Sequence, residues 1–236
     1  MRTLAIFLSI LLFAGTAAAR DELAQATPPG GSPFNYVLTT GDGGKPTYAV
    51  ILMPGGNGNM SPHLQGTKIV FAGAGNFLIR SRAIFAEGPF VAASTDATST
   101  PDRILAIMAD LQKRFGPLQV YVVGTSRSTD ATMTLAAPLD GKVAGFVHSS
   151  SMNRIATFDT RGLKSRQLIV LHRMDPCRVT NPAMGEASHR TYGTTLIEMD
   201  GGKSTGDDCE AYSHHGYNGI ERETVEKIKA WIQAGK

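Results

Sequence analysis

Cysteine is nearly absent from the 236-residue chain. There are two, Cys177 and Cys209, too few to build a zinc site alone, and no CxxC or HExxH spacing accompanies His189, His214 and His215. No metal site is expected. A large excess of one charge is also lacking: the formal net charge is +3 and the basic residues are scattered. A nucleic-acid partner therefore has no electrostatic footprint. No apolar run approaches the roughly 20 residues that cross a bilayer; Leu4–Ala14 is far shorter. Internal repeats are missing. So are a GxxxxGK[ST] phosphate loop and a dinucleotide-binding glycine fingerprint, and no cofactor is expected.

Glycine is abundant, with 26 residues, many clustered where apolar runs end. The N-terminus has the layout of a secretory signal over residues 1–19. Arg2 gives the positive start, Leu4–Ala14 the apolar stretch and Ala17-Ala18-Ala19 a small-residue cleavage site. A periplasmic or secreted protein is expected, with no membrane contact once the signal is removed. Residues 20–236 are long enough for one α/β domain with a buried core. In an oxidising compartment, a Cys177–Cys209 disulfide is expected.

The pattern along the chain alternates. Residues 20–35 read as a mobile leader or an early edge element, and TYAVILMPGG at 47–56 as a buried strand stopped by proline and glycine. Residues 60–68 look loop-like, 76–88 fit one amphipathic helix, and 90–95 a second strand. Thr100 and Pro101 suit the cap and first position of a helix carrying Ile104, Met108, Leu111 and Phe115 on one face. Strands follow at 118–124, 143–150, 166–172 and 194–200, with helices near 128–137 and 219–233. Apolar strands alternating with helices predict an α/β fold, a mainly parallel sheet covered by helices on both faces. About 16 residues separate 143–150 from 166–172, too few for a large cap.

Catalytic groups in such sheets gather at the C-terminal ends of strands. GTSRS at 124–128 places Ser126 between an apolar strand and a helix. A serine becomes a useful nucleophile only with a base to take its proton and donors to hold the oxyanion. A sharp strand-to-helix turn supplies exposure and helix amides. Gly124 allows the close approach this needs; Ser128, where a second glycine would serve best, adds a hydroxymethyl group. Asp175, just past a strong strand, and His215 follow in the order Ser, Asp, His. Asp200 is the competing acid and His214 the competing base, although Gly216 favours a tight turn after His215. PGGNGN at 54–59 offers the second oxyanion donor at Gly56 or Asn57, beside the backbone N–H of Arg127. A Cys177–Cys209 bridge would tie the acid loop to the histidine loop. Arg127 and Arg173 flank the site and suit an anionic group, with pairing to local acids as the plainer expectation.

Through PGGNG, GNFLIRSRAIFAEGPFVAASTDA, GTSRS, LHRMDPC and HHGYNGIE, the sequence resembles the α/β-hydrolase superfamily, and within it a group of exported bacterial hydrolase-like proteins. The resemblance implies an α/β-hydrolase fold with little or no cap, nucleophile Ser126, acid Asp175 and base His215. It also implies a small-molecule ester or related acyl substrate. A peptidase or acyltransferase using the same triad, and a non-catalytic binding protein on the same fold, are the alternatives. Specificity would then fall to loops near 57–68, 150–165 and 176–193.

Overall fold

A computed structural model describes residues 19–235; the expected signal at 1–19 lies outside them but for Ala19. Among the described residues ten strands form: β1 Arg20–Ala26, β2 Phe34–Thr40, β3 Tyr48–Met53, β4 His63–Gln65, β5 Lys68–Val70, β6 Phe90–Ser94, β7 Gln119–Thr125, β8 Gly145–Ser149, β9 Arg166–His172 and β10 Thr195–Met199. Eight make one sheet in the order β1-β2-β6-β3-β7-β8-β9-β10. The β1–β2 and β2–β6 pairs are antiparallel, and every pair from β6 to β10 is parallel. The helices are α1 Phe77–Arg80, α2 Arg82–Phe85, α3 Pro101–Phe115, α4 Ser128–Ala136, α5 Pro182–Tyr192 and α6 Glu221–Gln233.

The period of two along the central strands explains the layers. From β3, Ala49, Ile51 and Met53 point to one face, where Ile104, Ile107 and Leu111 of α3 and Leu135 of α4 cover them. Val50 and Leu52 point to the other, against Phe77 and Leu78 of α1, Phe85 of α2 and Val225, Ile228 and Ile232 of α6. With both faces covered, β3 and β7 are apolar almost throughout and buried. The chain leaves β3 for β6 on one side, then crosses back to β7 on the other. The crevice at such a reversal, beyond the strand ends, is where an open α/β sheet binds ligands.

Several expectations change. Residues 20–35 supply the edge element rather than the mobile leader: β1 lies at the edge of the sheet and pairs along its length with β2, a strand not expected from the sequence. The 60–68 segment contributes to the β4–β5 hairpin. The helix expected at 76–88 is two short ones broken at Ser81, whose N–H turns to the Ile79 carbonyl, an acceptor that Arg82 Nη1 also takes at 2.8 Å. A continuous helix would pair that acceptor with the amide of residue 83. Residues 182–192 are helical rather than loop, starting on Pro182 with the Asn181 side chain accepting from Ala183 N. Thr100 sits at the N-cap of α3 as expected, but its hydroxyl makes no cap bond.

One buried polar residue sets a pH limit on this fold. His148 of β8 is fully buried, with Nδ1 2.7 Å from Thr132 Oγ1 and Nε2 3.0 Å from Gln167 Oε1. Burial pushes its pKa down from 6.5 to about 4, the Gln167 bond opposing only part of that. The folded protein therefore binds a proton less readily than the unfolded chain. The stabilisation is complete above pH 6.5 and lost as pH falls towards about 4, a contribution of roughly 3 kcal/mol. Urea unfolding at pH 7.5 and 4.5 is expected to show a smaller acid-induced loss in His148→Gln than in the wild type. Equal losses would refute this.

Candidate active site

One glycine lets the loop after β3 meet the turn after β7, and another lets α4 pack close on β7. A Cβ on Gly55 would meet Ser126 Cβ and the Thr125 carbonyl, each at 2.9 Å. A Cβ on Gly124 would meet the Ser128 carbonyl and Thr132 Cγ2, each at 2.8 Å. Ser126 then adopts φ +54°, a left-handed conformation costly for a serine and typical of functional turns. Its N–H donates to the Ser149 carbonyl at 3.0 Å, and its carbonyl accepts from Thr129 N and Oγ1 at 2.9 and 2.6 Å. The backbone is thus fixed on both sides while the side chain stays half-exposed.

Ser128 does not loosen this turn. Its Oγ is buried, accepts from Thr125 N at 2.8 Å and lies 2.7 Å from the Met53 carbonyl and 2.9 Å from that of Thr125. The hydroxymethyl group therefore joins the ends of β3 and β7, a tie that glycine would lack.

Asp175 and His215 meet although 40 residues apart: Oδ2 lies 3.0 Å from Nδ1, and both side chains are buried. Asp175 Oδ1 accepts from Cys177 N at 2.9 Å, and Oδ2 also accepts from Thr180 Oγ1 at 3.0 Å. The competing acid Asp200 is exposed, its Oδ1 accepting from the next amide, Gly201 N, at 2.7 Å. The competing base His214 stacks on His172, centroids 4.5 Å apart. His172 Nδ1 accepts from Met174 N and Nε2 donates to the Gly201 carbonyl. Burial holds its pKa below the usual imidazole range, and nearby His214 pushes the same way, so His172 is a neutral brace for the Asp175 turn.

The His215 loop is held by residues that sequence reasoning missed. Ser150 Oγ donates to the His215 carbonyl at 2.7 Å, and Tyr217 Oη bridges Val170 O and Ser150 N. Arg80 donates to the Gly216 carbonyl at 2.6 Å and the Gly75 carbonyl at 2.7 Å while pairing with Glu221. A Cβ on Gly216 would sit 2.0 Å from the Ala211 carbonyl, so this turn requires glycine. Cys177 and Cys209 are bonded, Cα atoms 4.7 Å apart, and link the Asp175 turn to the loop leading into His215.

Ser126 and His215 line one depression of about 390 Å³, together with Gly56 and Asn57. No hydrogen bond joins Ser126 Oγ to His215. The backbone amides of Gly56, Asn57 and Arg127 donate to no protein atom among the described residues. Rather than residues 150–165 or 176–193, the far wall is built from Gly73, Gly75, Asn76 and Phe77 and from Cys209–Tyr212. Among the described residues no group of three or more His, Cys, Asp or Glu could hold a metal ion.

No protein-family model matches the chain. No curated protein matches it in sequence either. Solved structures do match in shape. A lidless α/β serine hydrolase from Xanthomonas campestris is 11% identical over 88% of this chain and 94% of its own, with a TM-score of 0.57. The esterase domain of a Rhodothermus marinus protein is 10% identical over 90% of this chain and 97% of its own, at 0.62. A cold-adapted esterase from an Arctic intertidal metagenomic library is 11% identical over 90% and 94%, at 0.61. Sheet order, the reversal at β3 and these likenesses agree: the chain has the α/β-hydrolase fold.

Proposed function

We propose that the chain is a serine hydrolase that cleaves an ester, thioester or amide of a small substrate through an acyl-enzyme. The observation that carries this reading is the 3.0 Å Asp175–His215 contact, opening on the depression that the left-handed Ser126 lines. Ser126 Oγ attacks the carbonyl and His215 Nε2 accepts its proton. Asp175, on Nδ1, keeps the imidazole turned and stabilises the cation that forms. The free amides of Arg127 and of Gly56 or Asn57 hold the oxyanion. His215 then passes the proton to the leaving group, and water releases the acyl chain. A hydroxyl and imidazole without a hydrogen bond in a substrate-free site fit this scheme, since such contacts tighten when substrate binds.

The esterase and serine hydrolase neighbours support a hydrolase of this kind. An exported setting fits the disulfide and the lack, among the described residues, of a helix long and apolar enough to cross a membrane. A non-catalytic binding protein draws on the missing Ser126–His215 hydrogen bond. Hydrolysis of 4-nitrophenyl butyrate separates the two. Ser126→Ala is expected to lower kcat by at least about 10³-fold with the circular dichroism spectrum kept. Equal turnover by the variant would refute Ser126 as the nucleophile, and none by the wild type would favour the binding protein.

A further inference from the structure

Beside the Ser126 depression lies a second, of about 310 Å³, and the two share Gly56 and Asn57. Arg127 lines it and is exposed. Arg173, the other arginine flanking the site in sequence, pairs with Glu198 at 3.4 Å. Arg127 has no hydrogen bond or ion pair from its guanidinium among the described residues, a state shared by Arg20 and Arg178, neither of which lines this depression. The one carboxylate in the wall, Asp130, has its own cation, with Arg154 Nε at 3.7 Å. Asn57 Oδ1 accepts from Asn59 N at 3.0 Å, which leaves its amino group as a donor. An unpaired guanidinium and an amide donor lining one depression suit a carboxylate, which accepts from both.

The two depressions also differ in their access to the proton. His215 lines only the first. Resting on the hydrolase reading above, His215 must protonate the leaving group, so that group belongs on its side. The acyl chain, pivoting about an oxyanion held at Gly56–Asn57, extends the other way. We infer that Arg127, with Asn57, selects substrates whose acyl portion ends in a carboxylate: half-esters of dicarboxylic acids, cleaved to the dicarboxylate and an alcohol.

Two esters of equal length test this, mono-4-nitrophenyl adipate and its neutral methyl ester, with buffer hydrolysis subtracted. The quantity read is the ratio of their kcat/KM values. The wild type is expected to favour the anionic ester by about tenfold, as a charge-assisted contact in a partly exposed site allows, mainly through a lower KM. High salt should shrink the preference. Arg127→Gln should bring the ratio to about one, Arg127→Glu below one, and Arg127→Lys should keep part of it. A wild-type ratio at or below one, or a ratio that Arg127→Gln leaves in place, would overturn the inference. If the neutral ester were still cleaved in a Ser126-dependent way, the hydrolase reading would survive that result. Absence of Ser126-dependent cleavage of either ester would overturn both.

Discussion

Asp175→Asn is expected to lower kcat by about 10⁴-fold with little change in KM. The carboxylate accepts on both oxygens: Cys177 N–H on Oδ1, and Thr180 Oγ1 and His215 Nδ1–H on Oδ2. An asparagine has one acceptor to offer. With its oxygen kept on the Cys177 amide, its NH₂ faces Nδ1 and forces the proton onto Nε2, the nitrogen that the proposed mechanism requires to be free to take a proton from Ser126. The base is present but in the wrong tautomer. Steady-state kinetics on 4-nitrophenyl butyrate provide the measurement, with Asp200→Asn as the control, expected within about twofold of wild type. A loss below tenfold for Asp175→Asn would contradict the assignment of this acid.

The second large effect is on stability. Cys177 and Cys209 close a loop with a sequence separation of 32, and releasing a loop of that length costs roughly 3–4 kcal/mol on the chain-entropy account. For a chain this size that is about 10 °C in Tm. The Cys177→Ala/Cys209→Ala variant is accordingly expected to melt about 10 °C lower. Its activity should suffer at temperatures where it is still folded, because both ends of the bridge serve the site. The Cys177 amide holds Asp175 Oδ1, and Cys209 belongs to the wall facing Ser126. A Tm within about 2 °C of wild type would show that the bridge constrains little.

How much of this was legible in the sequence depends on the kind of force involved. Buried parallel strands announce themselves as apolar runs, so β3, β7 and β9 stood out. The regular face and Pro101 start of α3 did too. α5 did not, because its fully buried residues are Gly185 and Ser188. A Cβ on Gly185 would meet Leu171 at 2.9 Å, so this helix docks through its lack of side chain, which hydropathy does not register. β2 was hidden behind the polar, proline-rich stretch before it and is fixed by pairing with β1 and β6.

The candidate site divides the same way. Ser126, Asp175 and His215 could be singled out because each lies just beyond a strand or in a polar, glycine-marked loop. The residues that hold them could not. Tyr217 reaches Val170 across 47 residues and Ser150 reaches His215 across 65, and nothing local marks either. Ser128 shows the reverse error. Beside a glycine template it reads as a defect, and only the placement of Met53 and Thr125 around its hydroxyl reveals a tie between two strands. The walls of the depression, from residues 73–77 and 209–212, likewise depend on tertiary contact, with Arg80 joining the two sides through Gly75 and Gly216.

Nucleophilicity at Ser126 is the central claim, and mass spectrometry after treatment with a fluorophosphonate tests it most directly. The folded wild type is expected to gain one phosphonyl group, mapped to the peptide containing Ser126. Ser126→Ala should gain none, and His215→Ala should react far more slowly. A correctly folded wild type that stays unmodified, or that carries the group on another residue, would contradict the account.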